Sequence, residues 1–483
     1  MKICEQLKPK KVFQYFEEIC NIPHGSQNTK AMSDYCVNFA KEHQLVWYQD
    51  QWNNVIITKE GTCGYENSKP LIIQGHMDMV CEKDGDTQID FEQEGLRLYV
   101  EGDFLKAKGT TLGGDDGIAM AYAFAILDDK TLSHPPLEVI LTVDEEVGML
   151  GAQSIDISML KGKKLLNIDS DEEGIFLTSC AGGLGAKCTI PVSYTTGNGL
   201  LIEIKVGGLA GGHSGSEIHK EHGNAIIIMG RVLKTLADEI PFALVHLEGG
   251  LKDNAIPRET ICSIIVEEPG YSMRIKEIII KLNEDLKKEF YYSDSEISVI
   301  YKKKGEYTGE VVTGTSFQKI LCLLRMAPCG VQHMSMALPG LVETSLNVGI
   351  MKLKQELFSL TFSVRSSITS RKYDLTDQLS FLTKFLGGEV TISGDYPAWE
   401  YQADSAMREL MADTYRDLFQ EEPKIQAIHA GLECGILSGK IEGLDCISFG
   451  PNNFDIHTPK ERLSISSTEK IWKLLVEFLK RSK

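Results

Sequence analysis

The sequence lacks a long hydrophobic run, an excess of positive charge and any closely paired cysteines. No apolar stretch reaches the roughly 18 residues that mark a membrane span, and Met1 to Lys11 contain no apolar core of a secretory signal. The net charge of -18 argues against nucleic acid or an anionic membrane surface as a partner. Twelve cysteines are spread singly, without a CxxC pair, which favours free thiols. We therefore expect a cytoplasmic protein.

The length of 483 residues and the change of hydrophobic pattern along the chain predict two domains. Residues 1–185 and 396–483 alternate buried-strand patterns with helices, which is typical of a mainly parallel α/β sheet flanked by helices. Residues 186–395 instead follow the β-α-β-β-α-β order of a ferredoxin-like unit, and a weaker second version favours a duplication. The glycine-rich segment from Cys180 to Ala186 is predicted to be a hinge. The fold is thus a discontinuous α/β domain with an inserted α+β domain.

Acidic side chains and histidines follow several of the predicted strands. Charges at the carboxyl ends of parallel strands converge on one crevice, where open α/β sheets bind their ligands. Several carboxylates and two imidazoles in one crevice cannot all stay ionised without a counter-charge, and divalent cations supply it. The pattern therefore predicts a two-metal hydrolase, built on His76, Asp78, Asp115, Asp116, Glu145, Glu146, Asp169 and His457.

Each motif also has a simpler interpretation. Asp78 can accept the second ring N–H of a metal-binding His76, or the two can belong to a surface loop. In the sequence GGDDG, Asp115 can bridge two metals, whereas one aspartate would suffice to cap the following helix. Neighbouring Glu145 and Glu146 would point in opposite directions on an extended backbone. One could then bind metal while the other acts as general base, and a solvated strand end is the alternative.

Spacing alone does not decide four further candidates. Asp169 has three acidic neighbours in the next four residues, so the choice of ligand among them stays open. His457 is a lone loop histidine, and such histidines are usually not ligands. His213 lies in a glycine loop and is as readily a structural histidine. Arg365 is as readily a solvated arginine at the end of a strand.

Over nearly its whole length the sequence resembles the dinuclear-zinc metallopeptidases of the aminoacylase and carboxypeptidase kind. Within them it is most similar to the aminoacyl-histidine dipeptidase branch (peptidase D, carnosinase-like). The resemblance rests on seven motifs in this order: GHMDMV, LGGDDGIA, TVDEEVGMLGA, NIDSDEEG, GGHSG, HAGLECG and IHTPKE. It implies that the discontinuous domain is catalytic and that the inserted domain is a lid.

The resemblance also assigns roles in the catalytic domain. It implies two zinc ions that share Asp115, the first bound also by His76 and Asp169, the second by Glu146 and His457. Asp78 would orient His76, and Glu145 would be the general base. The peptide bond between Asp115 and Asp116 would be cis.

Four residues are candidates for substrate binding by the same resemblance. His213 is similar to a lid histidine that reaches the substrate carbonyl. Asn254 and Arg365 are similar to anchors of the substrate carboxylate, and a guanidinium suits that group. Gly435, in the HAGLECG loop, would supply a backbone contact.

We therefore expect zinc-dependent hydrolysis of dipeptides, of the Xaa-His type including β-alanyl-histidine and with broad specificity. A metal-bridged hydroxide would attack, with Glu145 as base. Cobalt or manganese could replace zinc. An N-acyl-amino-acid deacylase or a tripeptidase of the same fold stays open, as does a non-catalytic peptide-binding or metal-binding protein. The expected partner is a short peptide; a homodimer through the lid domain stays open, as does whether the lid histidine acts in cis or in trans.

Overall fold

The computed structural model describes residues 3–267 and 270–483, which form two compact units. The first unit runs to Cys180 and also includes Tyr401–Ala427 and Leu432–Lys483. The second comprises Ala181–Glu400 and Ile428–Gly431. The sequence placed the insertion at 186–395, a few residues inside these limits, and did not predict the return of 428–431 to the second unit. Among the described residues, no helix combines the length and apolar composition that a bilayer span requires.

The first unit contains a central sheet, a small second sheet and the helices around them, numbered here along the whole chain. Its helices are α1 (Lys10–Cys20), α2 (Lys30–Glu42), α3 (Gly114–Asp128), α4 (Leu150–Ser154), α9 (Ala406–Phe419), α10 (Glu433–Lys440) and α11 (Ile465–Arg481). Its strands are β1 (Val46–Gln49), β2 (Val55–Lys59), β3 (Leu71–His76), β4 (Leu98–Glu101), β5 (Phe104–Ala107), β6 (Leu137–Thr142), β7 (Lys164–Asn167), β8 (Ile175–Cys180), β20 (Lys424–Ile428), β21 (Asp445–Ser448), β22 (Asn453–Phe454) and β23 (Arg462–Ser464).

The central sheet has the strand order β1-β2-β6-β3-β7-β21-β8-β20. Its middle pairs, β6–β3, β3–β7 and β7–β21, are parallel, whereas β1, β2 and β8 join antiparallel. Strands β3 and β6 are buried at every residue, as strands covered on both faces are. The predicted mainly parallel sheet is therefore confirmed at its centre.

Helix α3 is apolar on all sides and is buried from Asp116 to Leu127. Such a helix belongs inside a core, and its alanines allow close approach to its neighbours. Phe124 packs in a tilted arrangement against Phe39 of α2, with ring centroids 4.4 Å apart, and meets Tyr15 of α1 edge-on, with centroids 5.8 Å apart. This packing fixes the start of α3, which carries the GGDDG motif.

The small sheet has the order β22-β23-β5-β4 and was not predicted from the sequence. Strand β23 pairs antiparallel with both β5 and β22. The connection between β22 and β23 contains His457. The histidine that spacing alone could not place is therefore held on a sheet, at a loop between two short strands.

The second unit is built on one antiparallel sheet. Its helices are α5 (Ala225–Glu239), α6 (Tyr271–Glu289), α7 (Gly314–Met326) and α8 (Thr369–Phe385), with a short 3-10 helix at Ile218–Lys220. Its strands are β9 (Gly182–Pro191), β10 (Tyr194–Gly207), β11 (Gly212–His213), β12 (Ala243–Gly249), β13 (Ala255–Ile256), β14 (Thr260–Val266), β15 (Ser298–Val312), β16 (Gly330–Met334), β17 (Val342–Lys354), β18 (Leu357–Ser366) and β19 (Glu389–Tyr396).

Two ferredoxin-like units share this sheet, whose order is β15-β10-β14-β12-β17-β18-β9-β19. The first is β10-α5-β12-β14-α6-β15. The second takes β9 as its first strand and continues, after the whole first unit, with α7-β17-β18-α8-β19. The segment from Cys180 to Ala186, predicted to be a hinge, contains the boundary between the two units at Cys180 and Ala181, but from Gly182 onward it is the start of β9, which pairs with β18 and β19.

Candidate metal centre

Three neighbouring parallel strands bring the candidate side chains to one edge of the central sheet. His76 is the last residue of β3, and Asp169 follows the end of β7 by two residues. Strand β6, on the other side of β3, ends at Thr142 shortly before Glu145 and Glu146. Because the three strands run in the same direction, these side chains gather where their carboxyl ends meet.

Asp115 connects the two histidines through its two carboxylate oxygens. Oδ1 lies 3.0 Å from Nε2 of His76, and Oδ2 lies 3.1 Å from Nε2 of His457. Each oxygen therefore faces a different imidazole. This is the arrangement expected of a carboxylate that bridges two metal ions. The Asp115–Asp116 peptide bond is cis, as the family resemblance predicted.

One group of potential ligands consists of Asp115, Glu146 and His457. Their ligand atoms all lie within 4.8 Å of one another, and Oε1 of Glu146 is 2.8 Å from Nε2 of His457. The side chain of His457 is 44% exposed, so this group faces solvent on one side. These are the three residues that the resemblance assigned to one metal.

The other group gathers around the buried ring of His76. Nε2 of His76 lies 3.7 Å from Oδ1 of Asp169, in addition to its contact with Asp115. Asp116 also offers an oxygen within 4.8 Å of His76 and Asp169. Among the described hydrogen bonds, none runs from a backbone N–H of α3 to the carboxylate of Asp115 or Asp116, so the alternative that an aspartate of GGDDG caps the helix is not supported. Asp116 instead accepts the backbone N–H of His76 at 3.1 Å.

Glu145 and Glu146 do not lie on extended backbone, so the argument from alternating side chains is wrong. They follow Asp144, which has a φ of 54°, and the N–H groups of Gly148 and Met149 donate to the carbonyl of Glu145, closing a turn. In this turn both carboxylates point to the same place: each offers an oxygen within 4.8 Å of His76 and of the other. They are not a solvated strand end.

Asp78 is buried and uses its carboxylate in a way that was not predicted. Nδ1 of His76 lies 2.9 Å from the backbone carbonyl oxygen of Asp78, but 3.5 Å from its carboxylate. The carboxylate accepts the backbone N–H groups of Glu145 at 3.0 Å and Glu146 at 3.3 Å, and the hydroxyl of Ser26 at 2.8 Å. The main chain of Asp78 thus orients His76, while its side chain holds the turn with the two glutamates.

The carboxyls of the site differ in the direction of their pKa shifts. Burial would raise the pKa of Asp115, but its contacts with His457 and His76 lower it. Burial, with the negative charges of Glu433, Glu146 and Asp115 nearby, raises the pKa of Glu145 to about 8 despite the opposing effect of His76. Burial and neighbouring carboxylates also raise the pKa of Asp169. Bound cations would relieve this repulsion. Imidazole nitrogens combined with carboxylate oxygens suit zinc, cobalt or manganese, so the residues present fit a pair of such ions.

Sequence reasoning missed two buried glutamates beside the site. Glu433 accepts the hydroxyl of Thr142 at 2.6 Å and the amide of Gln74 through one oxygen, and its other oxygen has no partner among the described residues. Burial raises its pKa to about 7. Glu461 accepts backbone N–H groups of the GGDDG turn. Glu433 lies in HAGLECG and Glu461 ends IHTPKE, so both residues could have been named as candidates from the motifs that carry the family resemblance.

In the second unit, His213 and Arg365 lie on either side of Gly215. A methyl group on Gly215 would come within 3.0 Å of the His213 ring and 3.2 Å of Nε of Arg365. Arg365 is only 9% exposed and lies within β18, so a solvated strand end is excluded. Its guanidinium donates to the hydroxyl of Tyr396 at 3.2 Å, whereas Nε has no hydrogen-bond partner among the described residues.

Nδ1 of His213 accepts the backbone N–H groups of Gly215 and Ser216, at 3.3 and 3.1 Å. Burial and the charge of Arg365 lower the pKa of His213. The neutral ring therefore carries its proton on Nε2, as a free donor. Asn254 is exposed, and its carbonyl accepts the N–H of Ser214 at 2.9 Å.

Gly435 does not lie in an open loop. It is buried in the first turn of α10, in the first unit, and its N–H donates to the carbonyl of Leu432 at 2.9 Å. The backbone donor that a substrate would need is therefore already used. The predicted substrate contact of Gly435 gains no support from this geometry.

The fold and the two ligand groups define a class. Residues 72–481 match the model of peptidase family M20/M25/M40, and the chain belongs to this family. It is therefore a peptidase.

Two relatives are similar to this chain over nearly their whole length. The chain is 36% identical to the cytosol non-specific dipeptidase of Escherichia coli K12, over 99% of both chains. It is 35% identical to the crystal structure of aminoacylhistidine dipeptidase from Vibrio alginolyticus, with a TM-score of 0.91 over 99% of this chain and 98% of that one. The aminopeptidase PepT of Bacillus cereus, at 14% identity and a TM-score of 0.56, shares the fold alone.

Proposed function

We propose that this protein is a cytoplasmic dipeptidase that uses two metal ions, zinc in the first instance. The observation that carries the proposal is the position of Asp115, whose two oxygens each face a different histidine. The first ion would be held by His76, Asp115 and Asp169, and the second by Asp115, Glu146 and His457. When bound, such ions polarise a peptide carbonyl and lower the pKa of water toward about 7.

Glu145 is the proposed general base. Its carboxyl is close to both ligand groups, with an oxygen within 4.8 Å of ligand atoms of His76 and of Glu146. It would take a proton from the attacking water and return it to the leaving amine. Asp78 supports this step by accepting the N–H groups of Glu145 and Glu146, which fixes the turn that presents both side chains.

The second unit would recognise the substrate. His213, neutral and with its donor on Nε2, suits an oxygen that gains negative charge during attack on a carbonyl. Arg365 is a buried cation whose Nε lacks a partner among the described residues, and it suits the free carboxylate of a short peptide. Asn254, joined to the His213 segment through Ser214, would assist it.

We infer a broad specificity that includes Xaa-His dipeptides and β-alanyl-histidine. The support is that the two full-length relatives are a non-specific dipeptidase and an aminoacylhistidine dipeptidase. Both act on dipeptides, and only the second is named for a particular side chain.

The test is a panel of dipeptides, tripeptides and N-acyl-amino acids incubated with metal-replete enzyme. Cleavage of several dipeptides, including one ending in histidine, with at least tenfold lower kcat/KM for the other classes is the expected result. A Glu145→Gln sample purified in the same way measures any contaminating peptidase. Preference for the tripeptides or the N-acyl-amino acids would replace the proposed specificity with that of another amide hydrolase. Lack of turnover on every class, with metals bound, would contradict the enzymatic role.

A further inference from the structure

We infer that Glu461 is a positioning residue of the metal centre, because its buried carboxylate joins the loops that carry Asp115, Asp169 and His457. The inference rests on the proposed function, since it concerns the same metal ions. Glu461 is only 2% exposed and lies four residues after His457. It is not a candidate ligand, and it acts through hydrogen bonds to the backbone.

The GGDDG loop is held by four consecutive backbone N–H groups that donate to this one carboxylate. Leu112 and Gly113 donate to Oε2, at 2.6 and 3.1 Å. Gly114 and Asp115 donate to Oε1, at 2.8 and 3.4 Å. Asp115 and Asp116 depart from helical φ and ψ, so these four donors belong to the loop that precedes the regular turns of α3, and Glu461 fixes that loop.

The two glycines of the motif fit this contact. Gly113 has a φ of 69°, in the left-handed region that glycine enters without cost. At Gly114 a Cβ atom would lie 2.8 Å from Nδ2 of Asn453 and 3.1 Å from Oε1 of Glu461. The space beside Gly114 is thus occupied by the carboxylate and its partner. The two glycines before Asp115 therefore allow the backbone to approach the Glu461 carboxylate closely.

Asn453 extends the connection to the third loop. Its Nδ2 donates to Oε1 of Glu461 at 3.2 Å, and its backbone N–H donates to the carbonyl of Asp171 at 3.0 Å, two residues after Asp169. The N–H of Glu461 itself donates to the carbonyl of Thr458, next to His457, at 3.1 Å. The Glu461 side chain therefore contacts the GGDDG loop and Asn453 directly, and backbone hydrogen bonds of Asn453 and Glu461 extend the connection to the segments of Asp169 and His457.

The contacts require the carboxylate form of Glu461. Burial alone favours the neutral acid, but every partner of its two oxygens is an N–H donor. Replacing it with glutamine puts an NH2 group against N–H groups that already point at that atom. The change keeps the size of the side chain and turns attraction into repulsion. A buried donor left without an acceptor is also unfavourable in itself.

The experiment measures metal affinity, by metal analysis and by the visible spectrum of cobalt-substituted enzyme, in the parent and in Glu461→Gln. We expect affinity to fall by about 10- to 100-fold, the usual scale for residues that orient metal ligands. The cobalt spectrum should change as well, because the ligands of both ions are less well fixed. The kcat should fall while KM stays nearly constant, since Glu461 lies among the ligand loops of the first unit.

Asp103→Asn is the matched control. Asp103 is likewise a carboxylate that holds a chain segment, accepting the N–H and hydroxyl of Ser466 and the hydroxyl of Ser464 at the start of α11. It should lower the unfolding temperature without changing metal affinity. If Glu461→Gln does not fold, Gly114→Ala should displace the carboxylate and weaken metal binding in the same direction.

Two outcomes are decisive and distinguishable. Unchanged affinity and cobalt spectrum in folded Glu461→Gln, or in Gly114→Ala when the first variant does not fold, would overturn the positioning role. A parent enzyme that binds no metal would instead overturn the proposed function on which the inference rests. Equal losses in Glu461→Gln and Asp103→Asn would show a general effect of stability and would also overturn the inference.

Discussion

His76 and Asp78 are linked through the backbone: the ring Nδ1 lies 2.9 Å from the carbonyl oxygen of Asp78 and 3.5 Å from its carboxylate. The ring orientation of a metal-binding histidine is usually fixed by such a partner on its second nitrogen. Because this partner is the backbone carbonyl of Asp78, a substitution of the Asp78 side chain leaves it in place. The carboxylate is left to hold Glu145 and Glu146.

Asp78→Asn should therefore affect catalysis more than metal binding. The variant keeps the carbonyl that orients His76 but loses one of the oxygens that accept the N–H groups of Glu145 and Glu146. We expect kcat to fall by about 10- to 100-fold, with both metals retained, as measured by steady-state kinetics and metal analysis. Ser26→Ala, which removes one hydrogen bond to the same carboxylate, should have a smaller effect. Loss of metal from Asp78→Asn would contradict this division of roles.

Glu145→Gln and Asp115→Ala should separate the chemistry from metal binding. The first removes the proposed base and should lower turnover by about two to four orders of magnitude while both metals stay bound. The second removes the carboxylate that faces both histidines and should lose metal. Metal content of the two purified variants decides the matter. Full activity of the glutamine variant would eliminate Glu145 as the base.

Arg365→Ala should weaken recognition of a free carboxylate. A free-acid dipeptide should lose both binding and turnover, because the anchor also positions the carbonyl. The corresponding dipeptide amide should be a poor substrate of the parent and lose little more in the variant. The measurement is kcat/KM for both substrates with both enzymes. Arg371→Ala, which removes a guanidinium paired with Glu343, is the control, and equal losses on acid and amide would show that Arg365 does not read the carboxylate.

All twelve cysteines should titrate as free thiols in denatured, unreduced protein. In the native protein Cys63 should react first, since it alone among them is exposed. Cys81 is half-buried, and burial next to the Asp78 carboxylate raises its pKa to about 11, so it should react slowly. Labelling with a thiol reagent gives the number of free thiols in the denatured protein, and a time course in the native protein gives the order in which they react. Pairs already oxidised in freshly isolated protein would argue against a reducing compartment.

Much of the fold could be predicted because hydrophobic periodicity is a local property. The parallel strands β3, β6 and β7 are largely apolar runs, and the sequence pattern predicted buried strands in this part of the chain. Strand β9 was missed because its first residues, Gly182 and Gly183, have low intrinsic preference for a strand. It forms because β18 and β19 lie on either side of it, which no local pattern reveals.

The candidate ligands could be named from the sequence, but their supporting contacts could not. Glu461 is more than 340 residues from the GGDDG loop that it holds, and Glu433 is 359 residues from Gln74. Nothing in the local spacing relates such positions. The sequence predicted that the side chains of Glu145 and Glu146 point in opposite directions from a strand, whereas a turn presents both to the same place.

The arrangement of the two ferredoxin-like units has a consequence for synthesis of the chain. Once Val312 has left the ribosome, β10, β12, β14 and β15 have one another as partners and can close into a sheet. Strand β9, made before all of them, must wait until Leu357 and the residues after it have been translated. During that interval a glycine-rich strand with two unpaired edges is held next to a growing sheet. Nascent chains stalled between these two points are the ones that chaperones would need to protect.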